Sequence, residues 1–172
     1  MRHLQKNVCL VFLVIAAALI AVGCGGKPDN LTKVYALGET AEAGAFGFQV
    51  SGCDWLDRIG DGADAKTAVH RFLVIHLGVF NRSASDLAIP ALALLDDNGQ
   101  TYSEAPAMMA DPKWLGLSRK ARSNETTYGN AIFDVPPAHY RLRVADESGF
   151  DRFALIDIPL RVQTDFEAGT PR

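Results

Sequence analysis

The sequence lacks the short motifs that mark common catalytic and metal centres. It contains no G-x-S-x-G, no H-E-x-x-H and no C-x-x-C, so it offers neither a nucleophile elbow nor the usual zinc-ligand spacings. The sequence also lacks an excess of basic residues, since it has 17 Lys and Arg against 20 Asp and Glu. Binding to phosphate backbones needs a basic surface, so this balance argues against a nucleic-acid partner. The sequence predicts a protein that is not an enzyme and has no cofactor.

The sequence also lacks a hydrophobic run long enough to cross a membrane. Residues 8–22 are apolar, but a membrane-spanning helix needs about twenty such residues. Arg2 and Lys6 precede this run, which is the layout of an export signal. Ala21-Val22-Gly23-Cys24 resembles the lipobox of bacterial lipoproteins, which implies that Cys24 is lipidated and becomes the first mature residue. An uncleaved anchor or ordinary secretion are the alternatives.

Cysteine is rare, with three in 172 residues. Cys9 would leave with the signal and Cys24 would carry the lipid, so only Cys53 would remain. An intramolecular disulfide is then excluded, and the fold must depend on its hydrophobic core. The expected organisation is a lipoprotein signal peptide at 1–23, a lipidated tether at 24–34, one domain at 35–160 and a C-terminal tail at 161–172.

Short apolar segments separated by turn residues make up the rest of the chain. Phe46, Phe48 and Val50 alternate with small or polar residues and predict a half-buried strand. Residues 72–80 are almost continuously apolar and predict a central strand. Asn98-Gly99 predicts a type I′ hairpin turn. About seven strands without a long amphipathic helix predict an all-β fold, an immunoglobulin-like antiparallel β-sandwich.

Cys53 lies one step out of phase with the alternation of the first strand. Its residue type nevertheless favours a buried, small hydrophobic role over a reactive thiol.

Four segments carry a family resemblance. They are Leu37-Gly38-Glu39-Thr40, the run 72–80 with the Asn81 that follows it, Leu94-Leu95-Asp96-Asp97-Asn98-Gly99-Gln100-Thr101-Tyr102, and Phe133-Asp134-Val135-Pro136. Together they resemble domain of unknown function 4352, whose members are bacterial extracytoplasmic proteins, many of them lipoproteins. The resemblance covers about residues 35–160 and implies an immunoglobulin-like sandwich without catalytic residues. One departure is Ser123-Asn124-Glu125, where the family usually has Pro-Gly-Glu.

An acidic segment is the one candidate metal site. Asp54, Asp57, Asp61 and Asp64 lie close together in sequence, and Ca²⁺ prefers six to eight oxygen ligands. The spacing differs from that of an EF-hand loop, and no closing glutamate follows. A solvated acidic loop is therefore favoured over calcium binding.

A second segment combines aromatic and basic residues. Arg119, Lys120 and Arg122 follow Trp114 in a long connection. Large amphipathic side chains and basic groups in a loop are common at protein contacts and near anionic head groups. This segment is the candidate binding surface. The alternatives are a solvated basic loop and a tryptophan that covers the end of the core.

These observations predict a membrane-anchored extracytoplasmic lipoprotein that acts as a non-catalytic binding or scaffolding module in the bacterial cell envelope. It would be attached through its lipid, to the outer membrane if the source has two membranes. The expected partner is an envelope protein or a surface polymer that approaches the loops at the sandwich ends. The alternative function is a small-molecule or calcium-binding carrier that uses the acidic loop.

Overall fold

A computed structural model describes residues 33–106, 108–116, 119–146, 148 and 152–160. The predicted signal peptide, Cys24, nearly all of the tether and the tail at 161–172 lie outside the described residues. In the described part, no helix has the length and apolar character needed to cross a membrane. The helical structure found there is a single 3₁₀ turn at Gly62–Asp64.

Eleven strands in the described part form two main sheets and a small third one. They are β1 (Val34–Tyr35), β2 (Thr40–Ala43), β3 (Phe46–Ile59), β4 (Lys66–Asn81), β5 (Leu87–Ala88), β6 (Ala93–Asp96), β7 (Thr101–Ser103), β8 (Lys120–Ala121), β9 (Thr126–Val135), β10 (Tyr140–Ala145) and β11 (Phe153–Ile158). One main sheet has the order β2-β3-β4-β9 and the other β1-β11-β10-β6-β7, while β5 pairs with β8.

This strand order is that of an immunoglobulin-like sandwich. Strands β3, β4 and β9 occupy the A, B and E positions of one sheet, and β11, β10, β6 and β7 occupy G, F, C and C′ of the other. The pairing is antiparallel except for β1, which runs parallel to β11 at the sheet edge. The structure confirms the predicted fold class.

A tyrosine corner supports the same assignment. Tyr140 begins β10, and its hydroxyl donates to the backbone oxygen of Pro136 at 2.7 Å. A tyrosine at the start of strand F that bonds back to the preceding turn is a hallmark of this fold. Burial raises the pKa of the Tyr140 hydroxyl to about 12, so the group keeps its proton and remains a donor.

The main core lies between the two sheets. The predicted alternation in β3 is confirmed, because Phe46, Phe48 and Val50 are fully buried there. They meet Leu142 and Ile156 of the opposite sheet in one cluster. Burial of side chains of this size stabilises a fold by about 1.5–3 kcal/mol each, so the sandwich holds together through its core.

A β-bulge explains the position of Cys53. Val50 pairs with Leu77 and Gly52 pairs with His76, so β3 has one extra residue, Ser51. The extra residue reverses which side chains face the core. Cys53 is therefore half-buried against the main cluster, although it lies out of phase with Val50 in the sequence.

The predicted hairpin between β6 and β7 forms, but its turn is not of type I′. That turn needs positive φ at two residues, and only Gly99 has it, at 82°. The Asp96 carboxylate accepts hydrogen bonds from the backbone N–H groups of Asn98 and Gln100. These hydrogen bonds to Asp96 favour a turn in which Gly99 alone adopts the left-handed conformation.

Asn124 adopts an uncommon backbone conformation in the turn before β9. Its φ is 57°, and it is the one non-glycine residue with positive φ in the described ranges. Asparagine tolerates this conformation better than most residues. The turn before β9 is therefore compatible with asparagine in place of glycine.

Candidate functional site

The segment 108–116, here called the strap, covers part of the outer face of the β2-β3-β4-β9 sheet. A second hydrophobic cluster lies under it, formed by the buried residues Ile59, Phe72, Val74, Ala105, Met108 and Ile132, with Ala68, Ala110 and Trp114 packed against them. Strand β4 contributes Phe72 and Val74 to this cluster, and Leu73 and Ile75 to the main core. Its burial on both faces explains the continuous apolar run that predicted a central strand.

A buried ion pair joins the segments on either side of the strap. The Arg119 guanidinium donates to both carboxylate oxygens of Glu104, at 2.7 and 2.6 Å. It also donates to the backbone oxygen of Pro90, and Glu104 accepts the backbone N–H of Leu92. The two charged side chains are only 2% and 4% exposed. The prediction that Arg119 belongs to a binding surface is therefore wrong: its charge is used inside the fold.

The other residues of that predicted surface are separated. Lys120 and Arg122 are exposed on either side of a buried Ala121. Trp114 lies in the strap, half-buried against the second cluster. The structure thus does not bring Trp114, Lys120 and Arg122 together with Arg119 as one exposed patch, and the tryptophan covers hydrophobic residues as the alternative interpretation proposed.

The strap is attached to the edge of β9 by hydrogen bonds. The backbone N–H of Asn130 donates to the Lys113 oxygen at 2.7 Å, and that of Leu115 donates to the Asn130 oxygen at 3.1 Å. The Asn130 side-chain amide adds a bond to the Asp111 carboxylate at 2.7 Å. The approach is close, because a Cβ added to Gly129 would lie 2.6 Å from Leu115 Cδ2.

His76 connects this attachment to β3. Its Nδ1 lies 2.7 Å from Asn130 Oδ1, and its Nε2 lies 2.8 Å from Asp54 Oδ2. Burial disfavours the charged ring, but the hydrogen bonds to Asn130 and Asp54 outweigh it and raise the pKa of His76 above its ordinary 6.5, against an opposing effect of Lys113.

An open groove of about 490 Å³ lies beside this network on the outer face of the sheet. It is lined by Ser51, His76, Leu77, Pro112, Lys113, Tyr128, Gly129 and Asn130. Tyr128 is 78% exposed, and its ring lies over Gly78, where an added Cβ would come within 2.9 Å of it. The groove thus combines an exposed aromatic ring with hydroxyl, imidazole, amide and ammonium groups.

A second histidine lies between two carboxylates. His139 Nδ1 is 3.0 Å from Asp97 and Nε2 is 2.7 Å from Asp157. The hydrogen bonds to Asp157 and Asp97 raise the pKa of His139. The β6–β7 turn and β11 bring these two carboxylates to His139. It joins turns at one end of the sandwich and lines no part of the groove.

The four aspartates of the predicted acidic loop are divided among different contacts. Asp54 bonds to His76, and Asp57 accepts a hydrogen bond from Arg71 at 2.8 Å. Asp61 precedes the 3₁₀ turn, Asp64 is its last residue, and both are exposed. In the described part of the chain, no group of three or more His, Cys, Asp or Glu side chains is placed to hold a metal ion.

The sequence does carry a signal for the groove. His76 interrupts the apolar run 72–80, and it shares a strand face with Phe72 and Val74. A histidine inside such a run is an exception that calls for a partner. Its partners Asp54 and Asn130 are distant from it in the sequence. Only the pairing of β3 and β9 with β4 places them at its two ring nitrogens.

Several solved structures resemble this fold, among them the following two. The yjhA protein from Bacillus subtilis matches with a TM-score of 0.57 and 19% sequence identity, covering 73% of this chain and 99% of its own. MPT63, a secreted protein from Mycobacterium tuberculosis, matches with a TM-score of 0.56 and 14% identity, covering 74% and 98%. At these identities the likeness shows the fold. No protein-family model and no curated protein matches the sequence, so the resemblance to domain of unknown function 4352 stays a prediction.

Proposed function

We propose that this protein is a lipid-anchored, extracytoplasmic binding module of the bacterial cell envelope that acts without catalysis. Its binding site is the groove between the strap and Tyr128, and its partner is an envelope protein. The observation that carries the proposal is the groove itself, an exposed aromatic ring and several hydrogen-bonding groups held on a rigid sheet.

The composition of the groove suits recognition of a protein surface. Tyrosine supplies a large, stiff contact area with a polar end, and it is enriched where binding energy is concentrated. The exposed Lys113 adds a donor. Two polar groups that line the groove, His76 and Asn130, are already bonded to each other, and His76 is also bonded to Asp54. They shape the surface rather than act on a substrate.

The proposed location rests on the lipobox-like segment ending at Cys24. Two or more acyl chains anchor a protein stably, whereas one chain is marginal. One fold neighbour, MPT63, is described as a secreted protein, which is compatible with an extracytoplasmic setting. Changing Cys24→Ser tests the anchor: the variant should leave the membrane fraction or remain unprocessed, and normal processing with full membrane retention would contradict it.

Capture from detergent-solubilised envelopes tests the groove. The proteins retained by the wild-type chain are compared with those retained by Tyr128→Ala, and Val69→Ala serves as the control because Val69 is 85% exposed and lies outside the groove. Loss of a binding hot spot of about 2 kcal/mol should reduce capture roughly thirtyfold. Equal capture by wild type and Tyr128→Ala would contradict the assignment of the site.

A further inference from the structure

We propose that protonation of His76 controls the attachment of the strap to β9, and so controls the shape of the groove. The inference rests on the proposed function, because it concerns regulation of the same binding site. The groups around the imidazole ring determine which of its two nitrogens must carry a proton.

The first constraint comes from the strap. The Asp111 carboxylate accepts a hydrogen bond from Asn130 at 2.7 Å, so the Asn130 amide nitrogen must point to Asp111. The amide oxygen then points to His76 Nδ1, 2.7 Å away. Since an amide oxygen only accepts hydrogen bonds, Nδ1 has to carry a proton.

The second constraint comes from β3. Asp54 Oδ2 lies 2.8 Å from His76 Nε2, and a carboxylate also only accepts. Both ring nitrogens therefore need protons, and the full set of bonds requires the imidazolium form. The charged groups that face the ring are Asp54 from β3 and Lys113 from the strap, with Asp111 beyond Asn130. The raised pKa of His76 agrees with this arrangement.

When the His76 ring loses one proton, one of these hydrogen bonds can no longer form. If Nδ1 keeps its proton, the lone pair of Nε2 faces the Asp54 carboxylate and the bond is replaced by repulsion. If Nε2 keeps its proton, Nδ1 becomes an acceptor and the Asn130 amide must rotate to donate to it. Rotation turns the amide oxygen towards the Asp111 carboxylate, and the side-chain bond that attaches the strap is lost.

The expected change is local. Met108 and Ala110 still pack on the second cluster, so the strap stays on the sheet. The part that loosens is the turn at Asp111–Leu115, which supplies Pro112 and Lys113 to the groove. The bond to the Asp54 carboxylate is charge-assisted and the bond to the Asn130 amide is not, so the neutral ring keeps its proton on Nε2 and the strap loses its side-chain bond. The groove is thus fully formed at low pH and loses one wall as the pH rises through the pKa of His76.

Amide hydrogen exchange of the full chain, corrected for the intrinsic pH dependence of exchange, tests this directly. The Leu115 and Asn130 amides donate across the strap–β9 contact, and their protection should fall about tenfold as His76 loses its proton, the change expected from one lost charged hydrogen bond. The Ala105 amide, which donates to Ile132 at 2.7 Å, is the internal control and should not follow this transition. The midpoint should coincide with the titration of the His76 ring measured by NMR.

Three variants decide the cause. His76→Gln should abolish the pH response of the Leu115 amide, and His139→Gln should keep it, although His139 also has acceptors at both nitrogens. Asp54→Asn should also abolish the response of the Leu115 amide, because the new amide can donate to Nε2 and the neutral ring then keeps its Nδ1 proton bonded to Asn130. A pH-independent Leu115 amide in the wild type, or a response that persists in His76→Gln, would overturn the inference.

The exchange experiment needs no partner, so its outcome is separate from the capture assay. If the strap responds to pH but Tyr128→Ala captures as well as the wild type, the proposed function is wrong and the switch stands. If capture depends on Tyr128 but strap protection is constant with pH, the switch is wrong and the binding site stands.

Discussion

The outer face of the β2-β3-β4-β9 sheet has two ends that are built from different kinds of residue. At the covered end, Phe72, Val74 and Ile132 are buried under the strap. At the open end, small or exposed residues replace them: Gly47, Gly78, Phe80 and Tyr128. Strands β3, β4 and β9 supply residues to both ends. The two ends therefore differ in the size of their side chains and in whether the strap covers them.

The comparison shows how one sheet face serves both stability and recognition. The covered end adds a second hydrophobic layer to strands that already face the main core. The open end leaves an aromatic ring, Tyr128, resting on a glycine and accessible to a partner. His76 lies at the boundary, where the hydrophobic layer ends and the groove begins. Substitutions at the two ends should therefore have unequal effects on folding.

The largest expected effect is at Phe72, which is 2% exposed under the strap. Phe72→Ala should lower the free energy of unfolding by about 4 kcal/mol, since it removes a buried ring and leaves a cavity. Phe80→Ala, at the open end with 38% exposure, should cost about 1 kcal/mol. Denaturant unfolding measures both, and equal losses would remove the distinction between the two ends.

Glu104 tests how far the covered end depends on the ion pair beside the strap. Glu104→Gln leaves the buried Arg119 without a counter-charge, which should cost about 3 kcal/mol. The control is Glu42→Gln, which breaks the pair with Arg82 at the surface, where the two side chains are 62% and 36% exposed, and which should cost at most about 1 kcal/mol. If unfolding in denaturant gave the same small loss for both, the strap would not need this pair.

Two glycines test the rigidity of the neighbours at each end. A Cβ at Gly129 would meet Leu115 Cδ2 at 2.6 Å and the Lys113 backbone oxygen at 2.8 Å, whereas one at Gly78 would meet the exposed ring of Tyr128. Gly129→Ala should therefore cost about 2 kcal/mol, because the strap must move, and Gly78→Ala less than about 1 kcal/mol, because the ring can turn away. Thermal unfolding at one pH gives the ranking. A larger loss for Gly78→Ala would mean that Tyr128 is the more tightly held of the two neighbours.

The smallest expected effect is the contribution of His139 to the pH dependence of stability. His139 has a raised folded-state pKa, through Asp157 and then Asp97. A raised value means that its stabilisation is complete below the unfolded-state value of 6.5 and is lost as the pH rises through the folded-state pKa. His139→Gln should therefore flatten part of the fall in unfolding free energy between about pH 6 and pH 8. An unchanged slope would show that its carboxylate contacts do not contribute in solution.

Much of the fold could be predicted from local patterns. The alternation at Phe46–Val50 and the apolar run 72–80 depend on strand geometry alone, and both are strands of the expected kind. The turn at Asn98-Gly99 was predicted in place but not in type. The reason is the Asp96 carboxylate, which bonds to the Asn98 and Gln100 amides and lies outside the two-residue signal used for the prediction.

The candidate site was less predictable because its contacts join distant segments. Arg119 was interpreted as a surface charge, but it forms a buried ion pair with Glu104, fifteen residues away in the sequence. His76 and Asp54 are twenty-two residues apart, and His76 and Asn130 fifty-four. Only the strand pairing brings such residues within hydrogen-bonding distance, and no spacing rule along the chain contains that information.

The bulge at Ser51 determines which side chains of the second half of β3 face the main core. With Ser51 present, Cys53 and Trp55 pack towards the main core, and Asp54 between them reaches His76 on the outer face. Deletion of that one residue, with the first half of β3 held in place, would reverse the facing of every position from Gly52 to Leu56. The carboxylate would enter the hydrophobic interior and the indole would enter the groove. A length change of one residue at this point therefore removes the histidine–aspartate pair and turns the indole to the other face of the sheet in a single step.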